Sequence, residues 1–177
     1  MSPRSQLFLC LISALLAVMM NAATAETATE EELKAAYLYN LALFVQWPES
    51  HHRETFNICQ YGADALGPGG LALTRRELHG RPVTVRVVDG MLVDDCDLLY
   101  IPALQKTDLQ ELTASLDGVN VLTVSDVPDA IRLGVTIGLL EDHRKIVFEV
   151  NLAAARAAGL MIGARLLNLA VKVTSDP

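Results

Sequence analysis

The chain has 177 residues, 51% of them hydrophobic, and its 14 basic and 21 acidic side chains give a net charge of −7 with a mean hydropathy of +0.32. This suits a membrane protein only until the apolar residues are placed, because 17 of them lie in Met1 to Ala25, where Arg4 is the sole charge. The other 152 residues are about 49% apolar, ordinary for one globular domain, and the acidic balance, with no basic run longer than two, excludes nucleic acid and adsorption to an anionic membrane surface.

Arg4, the apolar stretch Leu7 to Met20 and the small residues Ala23-Thr24-Ala25 follow the order of a secretory signal cleaved after Ala25. The stretch is shorter than the roughly 17 to 25 residues that span a bilayer. Residues 1–25 are therefore read as an export signal and 26–177 as the mature domain, with no membrane insertion of its own. Cys10 lies inside the apolar run behind Leu9, which argues against lipidation. Removing it leaves Cys59 and Cys96, an even number in an oxidising compartment, which points to one disulfide; two separate buried thiols are the alternative.

Thr29-Glu30-Glu31-Glu32 reads as a capping box that starts a helix. Leu33, Ala36, Tyr37, Leu41, Phe44 and Val45 form its apolar face, and Pro48 ends it. Thr55 to Tyr61 is a strand closed by Gly62. Ala63 to Leu78, with Gly67-Pro68-Gly69-Gly70, reads as a loop and a short helix. Val83 to Val88 alternates as a half-exposed strand near a sheet edge does. Leu98 to Ile101 and Val119 to Val124 are continuous apolar runs that belong at the sheet centre, joined by a crossover helix over Thr107 to Leu116. Gly134 to Leu140 and Lys145 to Val150 form a hairpin about Glu141-Asp142-His143-Arg144, closing one side of the sheet. Asn151 caps a helix over Leu152 to Ala158, Gly159 ends it, and Gly163 to Val173 is the last helix. The expected fold is a single-domain α/β protein: a mixed β-sheet with helices on both faces, ending in a β-hairpin and two C-terminal helices.

Chemistry is sparse. Neither a nucleophile elbow, a Walker loop nor a zinc-protease helix is present. The glycine spacing of Gly62 to Gly70 is wrong for a phosphate cradle, and Pro68 has no amide to donate. His51, His52, His79 and His143 lie in polar connections and read as solvated. Asp94, Asp95 and Asp97 around Cys96 read as a solvated acidic turn, since the glycine and bidentate glutamate of a calcium loop are missing. No metal or cofactor is expected. Ser125 and Asp126, at the end of a central strand, are the ligand candidates of an open α/β sheet. Glu149 and Asn151 share a strand face, and Arg165 interrupts an apolar helix; a half-buried Glu149–Arg165 pair with Asn151 as cap is favoured over a partner contact.

Ala35-Ala36-Tyr37-Leu38-Tyr39-Asn40, Phe44-Val45-Gln46-Trp47-Pro48, Leu122-Thr123-Val124-Ser125-Asp126, Phe148-Glu149-Val150-Asn151-Leu152, Ala158-Gly159-Leu160 and Arg165-Leu166-Leu167-Asn168-Leu169-Ala170 together resemble the YfiR-like periplasmic proteins. The likeness runs over nearly the whole mature chain. It implies a periplasmic, non-enzymatic regulator, homodimeric in many members, that binds the periplasmic part of an inner-membrane signalling protein such as a diguanylate cyclase or a sensor kinase and represses its output. It also implies that Cys59 and Cys96 form a stabilising disulfide, while a second cysteine pair of the namesake is absent here. Tyr37, Asn40, Trp47, Glu149, Asn151 and Arg165 are the motif residues, as structure or as partner contacts, and exposed apolar residues of the first or the C-terminal helix would form the docking surface. The rival class is a periplasmic small-ligand-binding protein of an uptake or sensing system, using Ser125 and Asp126.

Overall fold

The computed structural model describes residues 28–175 apart from Ser50, His52, Met91, Leu92, Asp94, Ala103, Gln105 and Arg144. The reading of residues 1–25 as an export signal, with Cys10, and the readings placed on His52, Asp94 and Arg144, lie outside the described residues.

Thr29 caps α1 (Glu30–Ala42) through the expected reciprocal box, with Glu32 N donating to Thr29 Oγ1 at 3.2 Å and Thr29 N to Glu32 Oε2 at 2.9 Å. Three glutamates in the first turn suit the positive end of the helix dipole. The helix stops at Ala42, before Pro48, because the chain turns into β1 (Val45–Gln46), which pairs antiparallel with β9 (Met161–Ile162). Its buried face is Ala35, Leu38, Leu41 and Ala42, not the stripe of Leu33, Ala36 and Phe44. The cause is α2 (Gly67–Leu73), whose backbone presses against α1: a Cβ on Gly69 would lie 2.7 Å from Glu31 O and 2.9 Å from Ala35 Cβ. Small residues must face that contact.

The remaining elements are β2 (Phe56–Tyr61), β3 (Glu77–Leu78), β4 (Arg81–Val88), β5 (Leu98–Ile101), α3 (Lys106–Ser115), β6 (Leu122–Ser125), a 3-10 turn (Ala130–Leu133), β7 (Ile137–Asp142), β8 (Lys145–Asn151), α4 (Leu152–Ala157), α5 (Ala164–Leu169) and β10 (Lys172–Thr174). Eight strands form one mixed sheet in the order β10-β8-β7-β6-β5-β2-β4-β3. β5 and β6 are central and fully buried, as their apolar runs predict. β4 lies next to the edge strand β3, with Val83 buried and Val87 48% exposed. β7 and β8 form the expected hairpin, but it does not close the sheet. Where a helix was expected to run to Val173, α5 ends at Leu169 and the β-branched run that follows adds β10 parallel to β8, pairing Val173 with Val150.

Two apolar clusters lie on opposite sides of the sheet. One packs α1 and α2 over Phe56, Ile58, Leu98 and Tyr100, and the other packs α3 over Cys59, Leu99, Ile101 and Val121. Cys59 and Cys96 are disulfide-bonded inside the second, joining β2 to the turn before β5. Closing a loop of 37 residues stabilises by about 3 to 4 kcal/mol in the chain-entropy model.

Beside the disulfide lies a buried charge that overturns two readings. Asp97 has no solvent exposure, and its carboxylate accepts from Asn57 N at 2.6 Å, His51 Nε2 at 2.8 Å and Arg81 at 2.9 Å. It is therefore not part of a solvated acidic turn, and His51, whose side chain is 7% exposed, is not a solvated loop histidine. His79 also leaves that class, since its ring contacts Trp47 and Phe56 and its Nε2 donates to Ala42 O at 3.0 Å. His143 alone of the described histidines is open, with its side chain 94% exposed.

Two consequences are measurable by urea unfolding of the purified protein. Asp97→Asn strands Arg81 and His51 without their carboxylate and should cost about 3 to 5 kcal/mol; a loss under about 1 kcal/mol would mean the cluster is solvated after all. Gly69→Ala forces the two helices apart and should cost about 1 to 3 kcal/mol; an unchanged or raised midpoint would refute the close α1–α2 contact.

Candidate functional site

Neighbouring strands β2 and β5 send their following helices to opposite faces of the sheet, α2 to one and α3 to the other. Ligands of open α/β sheets bind at the carboxyl ends of strands beside such a reversal. Here that edge carries Asp126, Tyr100 and Lys34. Asp126 Oδ2 accepts from Tyr100 Oη and from Lys34 Nζ, each at 2.8 Å, and Lys34 also pairs with Glu30 one turn earlier at 2.8 Å. Burial works against the Lys34 ammonium, but its hydrogen bonds to Asp126 and Glu30 outweigh that and hold its pKa above the usual lysine value. Burial, helped by the Asp126 charge, pushes the Tyr100 hydroxyl well above its normal range. At neutral pH the lysine is charged and the tyrosine protonated. The groups satisfy one another within the fold.

Ser125 is equally engaged. Its buried hydroxyl donates to Ile101 O at 2.7 Å and accepts from Val127 N at 3.2 Å, a turn-fixing role. The Gly62–Gly70 loop is also closed on itself. Buried Gln60 takes the amides of Ala65 and Leu66 at 2.7 and 2.8 Å, and Asp64 takes that of Gly67 at 2.9 Å. The amide of Gly67, with Gln60 beside it, holds the Asp64 carboxyl below the usual carboxylate range. A phosphate would find those donors occupied.

The motif residues separate into anchors and surface. Tyr37 Oη donates to Ile146 O at 2.9 Å, pinning α1 to β8. Trp47 Nε1 donates to Asp97 O at 3.2 Å, and its ring meets Phe56 edge-on at 5.2 Å. Asn151 does more than cap: Oδ1 accepts from Ala154 N at 3.0 Å while Nδ2 donates to Ile131 O at 2.8 Å, tying α4 to the 3-10 turn. Glu149 faces Lys172 at 3.8 Å and not Arg165, which is exposed on α5 as Asn40 is on α1. The expected Glu149–Arg165 pair fails because the chain leaves the helix early and brings Lys172 alongside β8.

Two surface features remain. Met161, Leu169, Val171 and Val173 are 63, 68, 58 and 40% exposed, an apolar run over the C-terminal segment. Next to it is a groove of about 1100 Å³ between α3, the 3-10 turn, α4 and β10. Sequence reasoning missed the groove, because it forms between elements that are far apart in sequence. Gln60 and Lys34 gave no signal either: Gln60 is a single polar residue in an apolar strand, and Lys34 meets Asp126 only across 92 residues of sequence. Among the described residues no three His, Cys, Asp or Glu side chains are placed to hold a metal ion, and no helix is long and apolar enough to cross a membrane.

The fold recurs in solved structures. A conserved domain protein from Vibrio cholerae O1 biovar eltor matches with a TM-score of 0.57 at 9% identity, over 82% of this chain and 60% of that one. The ABC domain from Streptococcus pneumonia in complex with L-Trp matches with a TM-score of 0.57 at 9% identity, over 79% of this chain and 60% of that one. At such identity the likeness concerns the fold alone, and the chain spans 60% of the length of each. A family model described as YfiR/HmsC-like matches residues 31–171. The chain therefore belongs to the YfiR/HmsC-like family, a family of periplasmic, non-catalytic regulators associated with cyclic di-GMP signalling.

Proposed function

We propose that this chain is exported to the periplasm after cleavage behind Ala25, binds the periplasmic part of an inner-membrane diguanylate cyclase and represses it. The family match over residues 31–171 carries this reading. The C-terminal segment supports it: four exposed apolar side chains on a domain with two well-filled cores are a surface for another protein. Repression of this kind needs no chemistry in the regulator, only a higher affinity for the inactive state of the enzyme. A homodimer would present that surface twice, and a sensor kinase would be regulated by the same physics. The ligand-binding alternative around Ser125 and Asp126 draws less support, since both side chains are engaged within the fold.

Cellular cyclic di-GMP tests the proposal. Deleting the gene should raise it severalfold, and the full chain should restore it. A form lacking residues 1–25 and held in the cytoplasm should not. An unchanged level in the deletion strain, in exponential and in stationary phase alike, would sink the regulatory reading; restoration by the cytoplasmic form would sink the periplasmic one.

A further inference from the structure

Helix α1 is apolar on two sides. Ala35, Leu38, Leu41 and Ala42 face the core, while Leu33, Ala36, Asn40 and Leu43 are exposed, Leu33 at 42% and Leu43 at 44%. At about 100° of turn per residue the second set lies on the side opposite the first, so it faces outward from the domain. Leu43 caps the helix in helical geometry, with φ −60° and ψ −26°, and keeps its place in that row. A helix side turned to water ordinarily carries charge. Here Lys34 is the only charged residue between Glu32 and Glu49, and it is turned aside to Asp126 at 2.8 Å.

The spacing of the exposed set says what covers it. Intervals of three, four and three residues are those of the a and d positions of a heptad, the seam along which one helix packs on another, and a single Asn at an a position is the residue that fixes register in such seams. The row is also complementary to itself when reversed. A second copy turned end for end about the level of Leu38 sets Leu33 against its Leu43 and Ala36 against its Asn40, large on large and small on polar. Charge selects this order over a parallel one, which would crowd Glu30, Glu31 and Glu32 of both copies together at the first turn. In the reversed pair the same rim of each helix meets the same rim of the other, and Glu32 shares a rim with Tyr39, one heptad away. The Tyr39 ring carries the Arg76 guanidinium at 5.2 Å from its centroid. Arg76 is exposed and forms no ion pair among the described residues, so Glu32 of each copy approaches a free cation of the other.

We propose that two copies of this chain associate through α1, antiparallel about a two-fold axis at the level of Leu38, along the seam of Leu33, Ala36, Asn40 and Leu43. Exposed Met161, which pairs with Gln46 across β1 and β9, extends the apolar contact past Leu43. Two helices of 13 residues offer a contact near or below the lower end of the roughly 1,200 to 2,000 Å² that stable complexes bury, so the association is reversible and monomer returns on dilution. The inference does not rest on the regulatory reading: the mass of the protein in solution decides the one and cyclic di-GMP the other.

The test is sedimentation equilibrium of the purified protein between about 5 and 500 μM. The expected result is a mass that rises with concentration from one copy toward two. Ala36→Glu puts a charge at the centre of the seam from an exposed position and should weaken association at least tenfold, whereas Asn40→Leu removes the polar residue from it and should tighten association at least tenfold. Each variant is compared with the parent by thermal melting, and Leu33→Lys takes the place of Ala36→Glu if the latter melts early. Orientation is read by mixing Ala36→Cys chains with Asn40→Cys chains under mild oxidation, the native cysteines being fully buried in their own disulfide. The mixed disulfide should exceed either self-linked product at least tenfold. A mass of one copy at every concentration, a dimer undiminished by both charge-bearing variants, or self-linked Ala36→Cys as the main product would overturn the inference, the last by showing a parallel pair, and each would leave the regulatory reading standing.

Discussion

A carboxylate removed from water is tolerated only when its lone pairs are met, because an unpaired buried charge costs several kcal/mol. Asp97 meets that condition by drawing separate parts of the chain to one point. Its side chain holds the start of β2 through Asn57, the segment before it through His51, and the start of β4 through Arg81. Its backbone oxygen holds Trp47 at 3.2 Å and the first residue of β6 at 2.9 Å. The disulfide begins one residue earlier at Cys96. Strands that are remote in sequence are thereby fixed in register at their amino ends, and Arg81 also lies over the Phe56 ring at 4.9 Å. A buried ion pair is weak evidence for net stability, yet breaking it on one side is costly because the remaining charge is left unmatched.

With one end of the sheet so fixed, the helices divide unequally. On one face α1 and α2 meet at backbone distance across Gly69 and Ala35, and the core beneath them reaches Val150 and Leu166. On the other face α3 covers the disulfide and the middle of the sheet, and the β6–β7 connection adds only a 3-10 turn. The asymmetry is a matter of chain length: the 11 residues from Asp126 to Thr136 hold a turn of four and leave too few for a crossover helix.

The sequence disclosed what depends on local or periodic signals. Thr29 and Glu32 specify the α1 start through contacts three residues apart, the continuous runs at Leu98 and Leu122 mark central strands by burial on both faces, and Asn151 and Gly159 bracket α4. What stayed hidden depends on partners far along the chain. His51 and Asp97 are 46 residues apart and read as hydrophilic loop residues until the fold brings them together. The buried face of α1 was misassigned because hydrophobicity favoured Leu33 and Phe44, whereas the contact with Gly69 selects for small size. β10 was misread as helix because Val171, Lys172 and Val173 follow a genuine helix without a glycine or proline to mark the change. Glu149 was given the wrong cation for the same reason.

The division of the molecule bears on how a regulator without catalytic groups would act. To move a two-state enzyme from mostly active to mostly inactive, a partner must prefer one state by about 5.5 kcal/mol, and any free energy used to order the regulator is lost from that preference. The Asp97 cluster and the disulfide lie at β2, β4 and β5, while the exposed apolar segment and the groove lie at the β6–β10 end. The buried-charge cluster and the exposed apolar segment are thus placed on different strands of one sheet. The groove between α3 and α4 carries no signature in the sequence because its polar floor is turned inward, with Thr123, Thr136 and Asn151 engaged with one another or with Ile131 and Ala154.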